Sequence, residues 1–257
     1  MIIDLHKIRK TFKPLNYKGV CVLCLQRSNS TRDLCLPCEG DLPYLHPMQV
    51  VCRCCGVALT LPTLGTNRSA PHLKCGECLK NPPHFEQTIA LMEYEHPIDA
   101  MIQALKLRHN FQFLNVFCSL LGHYLLEHYQ HTPLPGALIA VPLHHSKLAT
   151  RGFNQSQMMA HRLSRHLAIP ALEKTCLRQH SGQRQSGLSA QQRRRNLVDA
   201  FKLTPQGVIS LAQYPHVAIV DDVMTTGSTA NELAKVLREG GVKRVDVICF
   251  ARTGLAE

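Results

Sequence analysis

The chain has 257 residues, 45% of them apolar, enough to build one large domain or two unequal ones. No apolar run approaches membrane-spanning length, and Met1 to Lys13 alternates charged with apolar residues where a signal peptide would carry a hydrophobic segment, so no membrane insertion and a cytoplasmic location are expected. Lys and Arg number 29 against 18 Asp and Glu, a formal charge of +11 that favours anionic partners, and twelve cysteines without a secretory signal point to metal or free thiols before disulfides.

Nine of the twelve cysteines precede residue 79, and eight of these form four Cys-x-x-Cys pairs. Cys21/Cys24 and Cys35/Cys38 are separated by ten residues, and Cys52/Cys55 and Cys75/Cys78 by nineteen. Each pair can present two sulfurs from one tight turn, and two such turns close a tetrahedral zinc site. Two successive zinc ribbons are expected, with cross-bracing of alternate pairs as the other arrangement and Cys54 as a possible substitute ligand. Few large apolar residues and many loop formers (Pro62, Gly65, Asn67, Pro71) leave this segment without a core of its own, so metal would supply its stability. Asn81-Pro82-Pro83 reads as a linker, which divides the chain into residues 1–84 and 85–257.

Beyond it, Ile98, Met101, Ile102 and Leu105 fall on one helical face, and Val116, Leu120, Leu121 and Leu125 on another farther along. Lys106 ends the first helix, either as a solvated lysine or as a diphosphate contact. Ala137 to Val141 is a buried strand stopped by Pro142, and the loop after it carries His144, His145, Lys147 and Arg151. Arg151-Gly152-Phe153-Asn154-Gln155 leads into a helix with Met159, Leu163 and Leu167 on one face; Arg151 offers a planar fork of donors suited to phosphate. Lys147 to Arg195 holds ten Lys or Arg and one acid, Glu173. The long polar connection from Leu172 to Phe201, with Arg178, Arg184, Arg193, Arg194 and Arg195, reads as a mobile basic flap over an anion or as a solvated basic face.

The most informative stretch is Val217 to Thr229. Val217-Ala218-Ile219-Val220 is a buried strand, followed by Asp221 and Asp222 and then by Val223-Met224-Thr225-Thr226-Gly227-Ser228-Thr229. Ala230, Leu233, Ala234 and Leu237 continue as one face of a helix that Gly240-Gly241 ends, and Val245 to Ala251 is a second strand completing a βαβ unit. Free amides at the helix start, the helix dipole and four hydroxyls would hold a phosphate. Two acceptor-only carboxylates at the carboxyl end of a strand suit the vicinal diol of a ribose. The stretch lacks the Gly-Lys-Ser/Thr ending of a Walker loop and the Gly-x-Gly-x-x-Gly of a dinucleotide fingerprint.

This stretch resembles the binding loop for phosphoribosyl pyrophosphate in type I phosphoribosyltransferases. The whole chain resembles the ComF family: paired cysteines, Val141-Pro142, Arg-Gly-Phe-Asn-Gln at 151 to 155, Gln185-x-x-Leu188, Arg193-x-x-Asn196-Leu197, and the acid-ended loop follow in that order. The resemblance implies an α/β fold, a type I phosphoribosyltransferase-like parallel sheet with helices on both faces behind a small double zinc-ribbon domain. It further implies phosphoribosyl pyrophosphate with Mg²⁺ as ligand and two structural zinc ions, one on Cys21, Cys24, Cys35 and Cys38 and the other on Cys52, Cys55, Cys75 and Cys78. Asp221 and Asp222 would hold the ribose and Thr225 to Thr229 would wrap the 5′-phosphate, with Val223 and Met224 in the same binding loop; Lys106 and Arg151, from the residues themselves, are candidates to meet the diphosphate. Implied partners are single-stranded DNA, a helicase-like ComF partner and the recombination loader DprA, in natural transformation. Were the chain an active transferase, Asp221, Asp222, Arg151 and Arg193 would be its catalytic residues, with a nitrogen acceptor the sequence does not reveal; a zinc-dependent nucleic-acid adapter is the other alternative. Arg184 and Cys54 depart from the family's pattern.

Overall fold

A computed structural model describes residues 19–28, 30, 32–45, 50–59, 73–130, 132–179 and 199–254. Its contacts divide the chain into two compact units, Met1–Asp41 and Leu42–Glu257. In the first, an antiparallel bridge between Val20 and Arg27 closes the turn that carries Cys21 and Cys24, and helix α1 (Leu36–Gly40) follows Cys35. With so little apolar bulk, the unit is held by polar ties. Ser28 is fully buried and donates from Oγ to Leu34 O at 3.0 Å, and Arg32 pairs with Glu39 at 2.5 Å.

The second unit begins with another cysteine turn, closed by a bridge between Val51 and Ala58, and with the short helix α2 (Gly76–Lys80). Strand β1 (Gln87–Glu93), helices α3 (Ile98–Arg108) and α4 (Phe111–His128) and strand β2 (Ala137–Ala140) come next. Helices α5 (His145–Arg151) and α6 (Gln155–Leu167) lead to strands β3 (Ala171–Leu172), β4 (Cys176–Arg178) and β5 (Phe201–Leu203). The chain ends with α7 (Pro205–Leu211), β6 (His216–Met224), α8 (Ser228–Glu239) and β7 (Arg244–Arg252). Five strands form one parallel sheet in the order β1-β7-β6-β2-β3, while β4 and β5 make a separate antiparallel pair. Residues 180–198, which hold Arg184, Gln185, Arg193, Arg194, Arg195 and Asn196 and most of the expected flap, lie outside the described residues.

Alternation along the strands sends apolar residues to both faces, as a sheet covered on both sides requires. One face carries Ile139, Ile219, Val247 and Cys249 against Leu233, Ala234 and Leu237 of α8. On the other, Phe250 of β7 stacks on Phe117 of α4 with ring centroids 4.1 Å apart, and α6 packs against β2, β6 and α4. The free edge of β1 is covered: Leu45 N donates to Leu91 O at 2.9 Å and Glu93 N to Pro43 O at 2.8 Å.

At the amino end of the sheet a fully buried carboxylate, Asp246 of β7, ties three strands together. It accepts from Gln87 of β1 at 2.9 Å, from His216 of β6 at 3.0 Å, from Arg244 on both oxygens at 3.1 Å, and from Tyr129 at 3.4 Å. Burial alone would raise its pKa, but the donors from His216, Arg244 and Gln87 hold it below the usual carboxylate value. A depressed folded-state pKa stabilises the fold above the unfolded value near 3.8 and ceases to do so as pH falls through the folded one. Asp246→Asn should therefore lower stability at neutral pH by about 3 kcal/mol. Urea unfolding should also find the variant losing less than the wild type when the buffer is taken from pH 5 to pH 3.

Candidate functional site

The cysteines gather in sequence order. The sulfurs of Cys21, Cys24, Cys35 and Cys38 lie within 4.8 Å of one another, as do those of Cys52, Cys55, Cys75 and Cys78. Cross-bracing is therefore not the arrangement present. Zn–S bonds of about 2.3 Å arranged tetrahedrally set sulfurs ~3.8 Å apart, and the Cys24–Cys35 and Cys55–Cys75 sulfurs stand 3.6 and 3.7 Å apart. Backbone amides already point at the sulfurs: Cys75 N donates to Cys52 Sγ at 3.2 Å and Cys78 N to Cys75 Sγ at 3.4 Å. Burial opposes ionisation of Cys52, yet amides from Cys55 and Cys75 pull its thiol down to about 7. Burial and the Cys52 thiolate push Cys55 up to about 11, and burial with the charge of Cys55 pushes Cys78 higher still. Four thiols so closely placed repel as thiolates until a cation joins them, so both quartets fit zinc. Cys54 is buried but stands outside the quartet, and its carbonyl accepts from Thr88 Oγ1 at 2.6 Å.

The acidic pair stands at the carboxyl end of β6. The strand runs on past Val220 because β7 keeps pairing with it as far as Met224, which holds both aspartates in extended backbone. Adjacent strand residues point to opposite faces, and the two carboxylates meet different partners. Asp222 is 3% exposed and its Oδ2 lies 2.5 Å from Lys106 Nζ, at the end of α3. Asp221 Oδ1 accepts from Ser156 Oγ at 2.8 Å and from Asp222 N at 2.9 Å. Both carboxylates are thus turned onto the protein. Burial first, and the charge of Asp222 second, push Asp221 up to about 7, although Ser156 and Lys106 work against that rise.

Gly227 caps α8 in the left-handed conformation, with φ +78°, and contributes no side chain to the first-turn amides. Those amides have no acceptor within the helix. A Cβ at Gly227 would meet Met224 Cε at 2.6 Å as well as an unfavourable φ. Thr225 and Thr226 are exposed, and Thr226 Oγ1 lies 2.8 Å from Ser228 Oγ. Ser228 N, the first amide of α8, donates to Thr226 Oγ1 at 3.4 Å, so hydroxyls and first-turn amides meet at one helix start, a setting suited to an anion.

The loop after β2 leaves the same end of the sheet, and its motif is largely explained by local structure. Arg151 ends α5 and donates to Gln155 Oε1 at 2.6 Å, not to either aspartate. Gly152 takes φ +78° as the cap of α5, and Phe153 makes edge contacts with His109 and Phe111. Asn154 caps α6 by accepting from Ser156 N and Gln157 N, and its own amide donates to Val141 O at 3.0 Å. That double tie places Ser156 beside Asp221. His144, a loop residue by sequence, is the cap of α5. Arg178 lies over the Phe201 ring at 5.4 Å; burial lowers its pKa and the charge of Asp221 opposes that shift.

Three residues of this region escape a reading of the sequence: Ser156, Thr88 and Arg252. Arg252 ends β7 and is 3% exposed, with Nε on Cys55 O at 2.7 Å and Nη1 on the carbonyls of Met224, Thr225 and Thr253. The one signal for it is a cation closing an otherwise apolar strand.

No family model matches the chain. It is 39% identical over 229 residues to Competence protein F of Haemophilus influenzae, covering 85% of this chain and 96% of that protein. It is 33% identical over 244 residues to DNA utilization protein YhgH of Escherichia coli O157:H7, covering 93% and 92%. The protein of the same name from Salmonella typhi is 33% identical over 229 residues, covering 86% and 97%. Identity at this level along nearly the whole of each relative, joined to the paired cysteines and the acidic pair near the carboxyl end of β6, shows that the chain belongs to the ComF family.

Proposed function

We propose that the chain binds phosphoribosyl pyrophosphate at the carboxyl end of β6, and that it does so in the cytoplasm, in the competence or DNA-utilization role its relatives' names describe. One observation carries this reading: two adjacent carboxylates lie near the carboxyl end of a buried parallel strand, and a helix opens just beyond that strand from a left-handed glycine beside exposed hydroxyls. Ribose hydroxyls would donate to Asp221 and Asp222, taking over part of what Ser156 and Lys106 now supply. The 5′-phosphate would accept from the first amides of α8 and from Thr225, Thr226, Ser228 and Thr229. Lys106, freed in part from Asp222, and Arg151 would meet the diphosphate. Mg²⁺ bound with this ligand would supply positive charge against the diphosphate that Lys106 and Arg151 would face.

A second reading concerns single-stranded DNA. Between α4 and α6 lies an open groove lined by Asn115, Ser119, His161, Arg162, Arg165 and His166. Its cations suit a phosphate backbone and its amide and hydroxyl groups suit further hydrogen bonds. DNA held there would leave the end of β6 free for the nucleotide sugar.

Asp221 must be ionised to accept two hydroxyls, and its folded pKa near 7 puts that change within the working range. Affinity for the Mg²⁺ complex, followed by calorimetry, should rise about tenfold from pH 6 to pH 8 beyond the ligand's own titration. Asp221→Asn should keep only the ligand's own dependence. A wild type whose profile matches that of the variant would refute the role given to Asp221. Charge reversal of Arg162 and Arg165 to Glu should weaken single-stranded DNA binding and reduce its salt slope by at least ~0.7 for each lost phosphate contact. An unchanged slope would remove the groove from consideration.

A further inference from the structure

The second cysteine quartet and the turn that opens α8 share one buried side chain. Arg252 grips Cys55 O with Nε at 2.7 Å, and with Nη1 the carbonyls of Met224 at 3.2 Å and of Thr225. Cys55 belongs to the quartet, whereas Met224 and Thr225 lead into the hydroxyl turn. A guanidinium is a rigid plane, so its donors keep fixed directions to one another. A shift of the Cys55 carbonyl must therefore tilt the fork and displace the carbonyls held on its other side.

Thr88 makes a second connection between the same two segments. Its amide donates to Arg53 O at 3.2 Å and its hydroxyl to Cys54 O at 2.6 Å, while Met224 Sδ lies 3.5 Å from that hydroxyl. Met224 in turn is wedged against the cap, since its Cε would stand 2.6 Å from a Cβ on Gly227. Residues 53–55 and 224–227 are thus joined through two independent side chains, both anchored on strands of the parallel sheet.

Electrostatics runs in the same direction. The hydrogen-bond partners of Arg252 are carbonyl and hydroxyl oxygens, which leave its positive charge without a full counter-charge among them. Four thiolates around one zinc ion carry a net negative charge, and a negative quartet one peptide group away favours the guanidinium where it stands.

We propose that Arg252 is a positioning residue through which metal occupancy of Cys52, Cys55, Cys75 and Cys78 sets the 225–229 turn for its anion. The proposal rests on the reading of that turn as a phosphate site, and its test separates the two. Hydrogen exchange of the peptide 221–230 is followed by mass spectrometry in the zinc-loaded full chain, in Cys78→Ser and in Arg252→Lys, beside calorimetry with ribose 5-phosphate. Exchange of this peptide should quicken about tenfold in each variant while peptides from α4 stay unchanged, and affinity for ribose 5-phosphate should fall by a similar factor. The double variant should be no worse than either single one, because both break the same connection. An unchanged peptide in Arg252→Lys, or losses that simply add, would overturn the proposal. A wild type that does not bind ribose 5-phosphate would overturn the phosphate reading instead, and the exchange arm would still decide the coupling. Should Cys78→Ser fail to fold, the same peptide is followed in wild type as a chelator strips the metal, where quickened exchange supports the coupling and unchanged exchange refutes it.

Discussion

Two carboxylates on consecutive residues at the end of a buried strand set the conditions for everything around them. Charge buried without a partner costs several kcal/mol per group, so the neighbouring elements are arranged to meet it. Helix α3 ends where Lys106 reaches Asp222. Asn154 caps α6 and is itself tied to Val141, which brings the Ser156 hydroxyl to Asp221. Much of the Arg151 to Gln155 motif is therefore a device for seating α6 against β6. Even so the compensation is partial, because Asp221 sits near neutrality in its titration, at about 7. A ligand that supplies hydroxyl donors and brings cations would complete what the protein leaves unfinished.

The two ends of the sheet show what complete and incomplete compensation look like. At the amino end, Asp246 collects donors from Gln87, His216, Arg244 and Tyr129 and is held below the usual carboxylate range. Such a cluster locks β1, β6 and β7 in register, and a rigid base lets the carboxyl end hold an unfavourable arrangement. The cysteine turn at residues 52–55 is fastened to that carboxyl end through Thr88 and Arg252. Metal there would stiffen the floor of the hydroxyl turn as well as its own loop.

Local signals in the sequence were sufficient for much of this architecture. Helical spacing of Ile98, Met101, Ile102 and Leu105, and of Ala230, Leu233, Ala234 and Leu237, marks α3 and α8 because the buried face of a helix recurs every three to four residues. The spacing of the cysteine pairs likewise foretells two quartets. Strand β1 gives no such signal: Ile-Ala-Leu-Met is as compatible with helix as with strand, and only pairing with β7 decides it. The extension of β6 through two aspartates, poor strand formers, is again imposed by β7. Lys106 reads equally well as a solvated lysine because its partner lies far along the chain, and Arg252 is silent for the same reason. Contacts between distant residues create the site, and no local period records them.

An activated sugar phosphate bound at the end of β6 is the central feature of the proposed function. Crystals of the zinc-loaded protein soaked with phosphoribosyl pyrophosphate and Mg²⁺ examine this most directly. The expected electron density has the 5′-phosphate on the amides of α8 within residues 225–229, the ribose hydroxyls on Asp221 and Asp222, and Lys106 drawn from Asp222 toward the diphosphate. Density with a bare turn, Asp222 still on Lys106 and Asp221 still on Ser156, in crystals whose site is open to solvent, would contradict it.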